Sequence, residues 1–312
     1  MTLLGDPAVS VLVSSRDRAV LLAQLLQSLD TAQGAAPEVV SEILVVDNGS
    51  HDNTPALLTG WASGGARRRT LRVDAPGKSR ALNRALREAR APLLAFLDDD
   101  ERVAPGWLGA IADFFRAYPE YHAGVGRVLR PPEVIDPDLL ARLACYRTIA
   151  LFDHGDAVRD EQLLHGANMA LRREVFARVK GFNEGLGPGA VGGCEDAELA
   201  ARVVRAGLRI GYMPAAIVYH TIDPARLTPA AFRRFELVVA RSRFAMDPDR
   251  ARRRALPRLL EATLTFVWWS LLRRPVRRTH ARGRMIHHHE VLRLSRRRAS
   301  APTMTTGDAS GK

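Results

Sequence analysis

The sequence predicts an α/β protein built on a largely parallel sheet with helices on both faces. Three observations carry that expectation. Strand and helix signals alternate through the first half of the chain. Two short apolar strands end in acids: residues 42–47 close on Asp47, and residues 91–97 run into Asp98-Asp99-Asp100-Glu101. The strong basic charge is concentrated near the C-terminus, which leaves the remainder close to neutral. An acid cluster repels itself and gains nothing from burial, so a strand that ends in one calls for a cation. Hard divalent ions take one or two carboxylates and leave room for substrate phosphates. A strand end also sets these acids at the sheet edge where open α/β sheets bind ligands. Taken alone, the tetrad reads equally well as an acidic turn.

Residues 9–14 form the first strand, and residues 19–29 follow as a helix with Asp17 as its candidate cap. After strand 42–47, Asn48-Gly49 marks a turn that needs positive φ, and Ser50, Asp52 and Thr54 suit a helix start. Turn and cap account for residues 48–54 but not for the acid at Asp47. A polar, Gly-rich stretch reaches Arg69, strand 70–73 follows, and helix 79–89 is capped by Ser79. Beyond the acid-ended strand, Pro105 and Trp107 open a helix that stops before Pro119. Pro131, Pro132 and Pro137 mark a loop, and residues 166–172 read as a strand leading into a helix through Val179. Residues 185–193 are rich in glycine, precede Glu195-Asp196, and read as a mobile active-site loop. Helix 196–206 ends at Gly207, and strand 217–220 ends at His220.

A chain of 312 residues can bury a substantial core, consistent with one large domain and an appendage. Cys145 and Cys194 form no metal-ligand spacing and no disulfide framework, which fits a reducing, cytosolic setting. Cys194 reads as a packing residue. The first eight residues show no signal peptide, and residues 259–272, the best apolar stretch, are too short to span a bilayer and contain Glu261. Of the net charge of +12, residues 250–298 contribute 15 arginines against Glu261 and Glu290, or +13, so the rest sums to −1. The expected organisation is therefore a catalytic domain over 1–245, a basic amphipathic helical extension over 246–300, and a disordered tail over 301–312. Phe266, Trp268 and Trp269 between arginine clusters suit an anionic membrane surface. The alternative is a helix packed on the catalytic domain with a basic outer face. Nucleic acid ranks last, because no binding motif accompanies the charge. The run His287-His288-His289-Glu290 is not read as a metal site, since three adjacent histidines cannot share one helical face.

The acid-ended strands and the second half together resemble family-2 glycosyltransferases, the inverting nucleotide-sugar transferases of GT-A type. The matching segments are Val9-Ser-Val-Leu-Val-Ser14, Val45-Val-Asp-Asn-Gly-Ser-His-Asp-Asn-Thr54, Asp98-Asp-Asp100, His165-Gly-Ala-Asn-Met-Ala-Leu-Arg-Arg173, Gly181-Phe182, Glu195-Asp196 and Val218-Tyr-His220. They extend over residues 9–244. The resemblance implies a Rossmann-like nucleotide-binding half continuous with an acceptor-binding half. It also implies Mn²⁺ or Mg²⁺, a nucleoside-diphosphate sugar as donor, and a glycan or lipid-linked acceptor. Ser14 and Arg16 would line the nucleotide pocket, and Asp47, with Asn48 beside it, would meet the nucleobase. Asp100 is the leading metal ligand. Asp98 would contact the ribose, or the metal through water, and Asp99 would lie alongside. His220 falls where the family places a histidine near the metal or diphosphate. Asp196 would be the base that deprotonates the acceptor, with Glu195 the less favoured candidate, and His165 could meet the acceptor.

One departure stands out. The family carries Ala-Arg-Asn after a glycine, whereas this chain has Gly77-Lys-Ser-Arg-Ala-Leu-Asn83, with Leu82 in the arginine's place. Lys78 or Arg80 would then supply the charge; a solvated basic face is the alternative. The expected activity is metal-dependent inverting glycosyl transfer at the cytosolic face, in envelope or exopolysaccharide assembly. The competing readings are a nucleotidyltransferase, although no Gly-rich phosphate loop follows the first strand, and a non-catalytic nucleotide-sugar-binding module.

Overall fold

The computed structural model describes residues 8–300; the tail expected to be disordered, 301–312, lies outside them. The chain divides into two compact units, one ending at Thr228 and one beginning at Pro229. This break lies upstream of the 245/246 boundary, because arginine density marks where the charge begins and not where helices start to pack on one another.

In the first unit, β1 (Val9–Ser15), α1 (Ala19–Ala35), β2 (Ser41–Asp47), α2 (Thr54–Ala62), β3 (Arg68–Arg72), α3 (Lys78–Glu88) and β4 (Leu93–Leu97) alternate as expected. There follow β5 (Glu101–Val103), α4 (Trp107–Ala117), β6 (Ala123–Leu129), α5 (Pro137–Tyr146), β7 (Arg159–Glu161), β8 (Met169–Arg172), α6 (Glu174–Val179), α7 (Glu195–Arg205) and β9 (Ile210–His220). All nine strands join one sheet in the order β3-β2-β1-β4-β8-β6-β9-β5, with β7 also paired to β9. The β3-β2-β1-β4 block is parallel, as is β6 with β9. Only β8 and the three-residue strands β5 and β7 run against their neighbours.

The side-chain period of two feeds a core on each face. Val11 and Val13 join Leu22, Leu25, Trp107 and Ile111 under α1 and α4, whereas Leu12 joins Leu82, Leu199 and Val203 under α3 and α7. Register then decides where the polar residues emerge. Ser15 pairs with Asp47 and Val13 with Leu97, so the acids after β4 share an edge with the ends of β1 and β2. The chain leaves β1 toward β2 and β3, then returns to β4 on the other side. Its switch point therefore lies beside those acids, at the place where such sheets bind ligands.

Several details differ from the sequence expectation. Asp17 does not cap α1; it sits at φ 53° and accepts a hydrogen bond from His51 N at 2.7 Å. Ser79 lies inside the first turn of α3, fully buried, and donates to Leu186 O at 2.9 Å. Strand β9 begins at Ile210, well before Ile217, and residues 214–216 bulge between Met213 and Ile217, where Pro214 lacks a ladder donor. The Gly-rich segment is tied to α3 through Lys78 N, which donates to Pro188 O at 2.9 Å. A Cβ at Gly189 would fall 2.7 Å from Gly77 N, so only glycine admits this approach.

The second unit consists of α8 (Pro229–Met246), α9 (Pro248–Leu271) and α10 (Pro275–Ser300), and no helix among the described residues is long and apolar enough to cross a membrane. Here Glu290 accepts hydrogen bonds from Arg293 and Arg241 at 2.6 and 3.0 Å, which hold it down at about 2. It is an ion-pair partner inside a helical bundle.

Leu82 occupies the position where an arginine was expected, and it is 2 % exposed within the core under α3. Placing a cation there buries an uncompensated charge. Leu82→Arg is expected to destabilise the fold by about 3–5 kcal/mol, seen as a lowered urea midpoint.

Candidate active site

At the sheet edge, the acids after β4 meet cations drawn from distant parts of the chain. Asp99 accepts from Ser15 Oγ at 2.7 Å and from Arg18 at 2.8 Å. Asp100 Oδ2 lies 3.2 Å from Arg18 and 3.3 Å from Arg226, which follows β9. Asp98 pairs with Lys78, whose ammonium also lies 3.0 Å from Glu195 Oε1. Burial by itself would lower the Lys78 ammonium, but Asp98 and Glu195 outweigh it and hold the group well above its ordinary range. Burial likewise opposes ionisation of Asp98, and Lys78 overcomes it. Asp99 goes the other way: burial raises it despite Arg18.

Apart from Glu195, these residues line a cavity of about 410 Å³ that also takes in Ser14, Arg16, Asn48, Pro188 and His220. The Asn48 side chain is engaged within the protein. Its amide donates to Val73 O and Ala75 O, and its oxygen accepts from Gly77 N, so it fixes the turn that delivers Lys78. Asp47 and Arg80 are not brought to the cavity. Asp47 is spent on Ser50 N at 2.8 Å and Arg72 at 2.7 Å. Arg80 is on the surface, where it donates to Glu184 at 3.2 Å. Of the two basic residues of α3 considered at this edge, the fold chooses Lys78, since Arg80 leaves the helix in another direction.

Glu195 and Asp196 adjoin the cavity from the N-terminus of α7, where the helix dipole favours acids. Asp196 Oδ2 accepts from Gly166 N at 2.9 Å. A Cβ on Gly166 would stand 3.1 Å from Lys78 Nζ, 3.6 Å from Asp196 Oδ2 and 3.8 Å from Asp98 Oδ1. The glycine thus keeps open the space where the acid pair and the acid cluster face each other. Asn168, two residues on, is structural: it accepts from Trp107 Nε1 at 3.0 Å and donates to Arg127 O and Ala216 O.

The donor set for a cation is Asp100, Glu101 and His220, whose ligand atoms lie within 4.8 Å of one another and are all buried. Glu101 pairs with His220 across β5 and β9. His220 Nδ1 faces Thr221 O at 2.8 Å, which assigns the ring proton to Nδ1 and leaves the Nε2 lone pair toward Glu101 Oε1, 3.8 Å away. Both Glu101 oxygens are buried with no hydrogen-bond partner among the described residues. Burial, reinforced by Asp100 and Asp98, raises this carboxyl well above its usual range. Glu42, equally buried at the opposite sheet edge, accepts from Ser10 Oγ, Arg90 N and Arg69. Buried polar groups are normally satisfied in that way, which sets Glu101 apart from Glu42. A divalent ion fits these oxygen and imidazole donors. Asp98, expected as a second ligand, lies outside the trio because Lys78 holds it.

Sequence reasoning did not single out Glu101, Arg18 or Arg226. Glu101 was visible as the fourth acid of the tetrad, but its pairing with His220 depends on register. Arg18 and Arg226 carried no signal beyond their charge.

The family model described as glycosyl transferase family 2 matches residues 10–179, and one described as the N-terminal domain of galactosyltransferase matches residues 152–223. The O-antigen biosynthesis protein RfbC of Myxococcus xanthus is 33% identical over 221 residues, 66% of this chain and 16% of that protein. An uncharacterized protein of Sinorhizobium fredii is 29% identical over 243 residues, 71% of this chain and 25% of its own length. The chain therefore spans a quarter or less of these two relatives. Among solved structures, the mannosyltransferase PcManGT of Pyrobaculum calidifontis, in complex with GDP-Man and Mn²⁺, aligns with 96% of this chain and 77% of its own, at a TM-score of 0.55 and 19% identity. That likeness establishes the GT-A fold. The family match runs from β1 through the acid-ended β4 to the end of α6, more than half of the chain, and the chain belongs to glycosyl transferase family 2.

Proposed function

We propose that the protein is a metal-dependent inverting glycosyltransferase. It would move a sugar from a nucleoside-diphosphate sugar to a glycan or lipid-linked acceptor in envelope or exopolysaccharide synthesis, working at the cytoplasmic face of the membrane. The observation that carries this reading is the cavity at the switch point. Asp98, Asp99, Asp100 and His220 line it together with Arg16, Arg18, Lys78 and Arg226, with Glu101 buried beside His220 and the acid pair of α7 reached through Lys78. Support for the donor class comes from the GDP-Man and Mn²⁺ of the similar mannosyltransferase, and support for the setting from the O-antigen relative.

Glycosyl transfer must neutralise charge on the departing diphosphate and remove a proton from the attacking hydroxyl. Asp100, Glu101 and His220 would hold Mn²⁺ or Mg²⁺, which when bound supplies Lewis-acid stabilisation of the diphosphate. Arg18, Arg226 and Lys78 stand at the same cavity as fixed positive charge for that leaving group. Ser14, Arg16 and Asp99 lie on the β1 side, where the nucleoside would seat, and Asp98, paired with Lys78, would stand between them and the sugar. Asp196 faces the site across Gly166 and would take the acceptor proton as the hydroxyl attacks the anomeric carbon. Direct displacement by that oxygen breaks the bond to the diphosphate and inverts the configuration, with no covalent enzyme intermediate. Glu195, tied to Lys78, would hold the ammonium in place.

The first test is nucleoside-diphosphate release from a panel of UDP-, GDP- and dTDP-sugars, with and without Mn²⁺. One donor is expected to turn over only with metal, and Asp100→Ala to lose that turnover. Failure of every donor to bind or hydrolyse with folded protein overturns the reading. Asp196→Asn should lower kcat by about 10²–10⁴-fold while leaving donor KM nearly unchanged; a rise in KM alone would assign Asp196 to binding. Glu101→Gln should weaken Mn²⁺ binding by about tenfold or more, followed by titration of the free-ion electron spin resonance signal, without lowering the melting temperature.

A further inference from the structure

Helix α9 has two apolar faces, and the three-helix unit uses only one. Ala255, Leu259, Ala262, Phe266 and Trp269 recur at helical spacing on the packed side, with Ala255 and Ala262 fully buried. On the opposite side, Leu256, Leu260, Leu264, Val267, Trp268 and Leu271 form a stripe, each 51–73% exposed. At 1.5 Å per residue the stripe is about 22 Å long. Contiguous apolar surface of this extent marks an interaction site.

Charge identifies the occupant. Exposed Arg252, Arg253 and Arg254 stand at one end of the stripe, and exposed Arg273, Arg274, Arg277 and Arg278 just beyond the other. The one acid between Leu256 and Leu271, Glu261, accepts from Arg258 at 2.7 Å. A second copy of the stripe would bring arginine cluster against arginine cluster, whether the helices ran parallel or antiparallel. An anionic lipid surface instead offers phosphate at both ends and acyl chains in the middle. Trp268 also suits head-group depth. We infer that α9 lies flat on an anionic lipid surface, with its leucine stripe in the acyl boundary and both arginine clusters on the head groups. It does not span, since no helix among the described residues is long and apolar enough.

The test is co-sedimentation of the full chain with phosphatidylcholine vesicles and with vesicles containing phosphatidylglycerol, in the absence of sugar donor and metal. The outcome is therefore independent of the transferase reading. Binding only to the anionic vesicles is expected. Leu260→Glu/Leu264→Glu should lower the partition coefficient about tenfold or more. Both positions are exposed, so helicity should be unchanged. Arg273→Gln/Arg274→Gln keeps every apolar contact and should lower the coefficient about fivefold per charge removed. The inference is overturned by absence of binding to anionic vesicles, by equal binding to neutral ones, or by leucine variants that bind like the parent. A dimer in light scattering that the leucine substitutions abolish would assign the stripe to a second copy and equally overturn it.

Discussion

The negative charge concentrated after β4 is the constraint around which the rest of the site is arranged. Four acids in succession at a sheet edge are unstable without cations, and the fold collects them from three places. Arg18 comes from the start of α1, Lys78 from the start of α3, and Arg226 from the turn after β9. All three line the cavity at the carboxyl edge of the sheet. Glu101, buried beside them, has no hydrogen-bond partner among the described residues and faces His220 at 3.8 Å. Asp100 shares two guanidinium groups, those of Arg18 and Arg226.

Lys78 links the two halves of the site. Through one ammonium it joins the acid cluster to the acid pair of α7, and the glycines at 166 and 189 let backbone approach it closely. The replacement of the family's arginine by Leu82 then has a simple physical meaning. The side chain at that position packs into the core under α3, while the charge enters one helical turn earlier from a residue whose backbone is fixed by Pro188. Charge at the sheet edge and hydrophobic packing beneath it are supplied by adjacent turns of one helix.

The C-terminal unit separates stabilisation from display in a similar way. One side of α9 closes the small core, and Glu290 ties α8 to α10 through Arg241 and Arg293. The other side keeps large apolar groups in water, which a self-contained bundle has no reason to do.

The alternation of elements, the acid-ended strands and the confinement of basic charge were all legible in the sequence, because each is a local pattern of period or composition. The motifs at strand ends also named Ser14, Asp98, Asp99, Asp100 and His220, which line one cavity, while the sequence left Lys78 and Arg80 as alternatives that only the fold separates. What tertiary structure decided depends on register and approach over long sequence separation. The pairing of Glu101 with His220 follows from β5 lying antiparallel to β9. The diversion of Asp47 to Arg72 and of Arg80 to Glu184 reflects partners brought in by neighbouring segments. The beginning of the second unit at Pro229 reflects helix packing that charge density does not report. Local sequence sets which groups reach an edge, but only the folded sheet sets which of them face one another, since electrostatic and hydrogen-bond partners are chosen by distance in space.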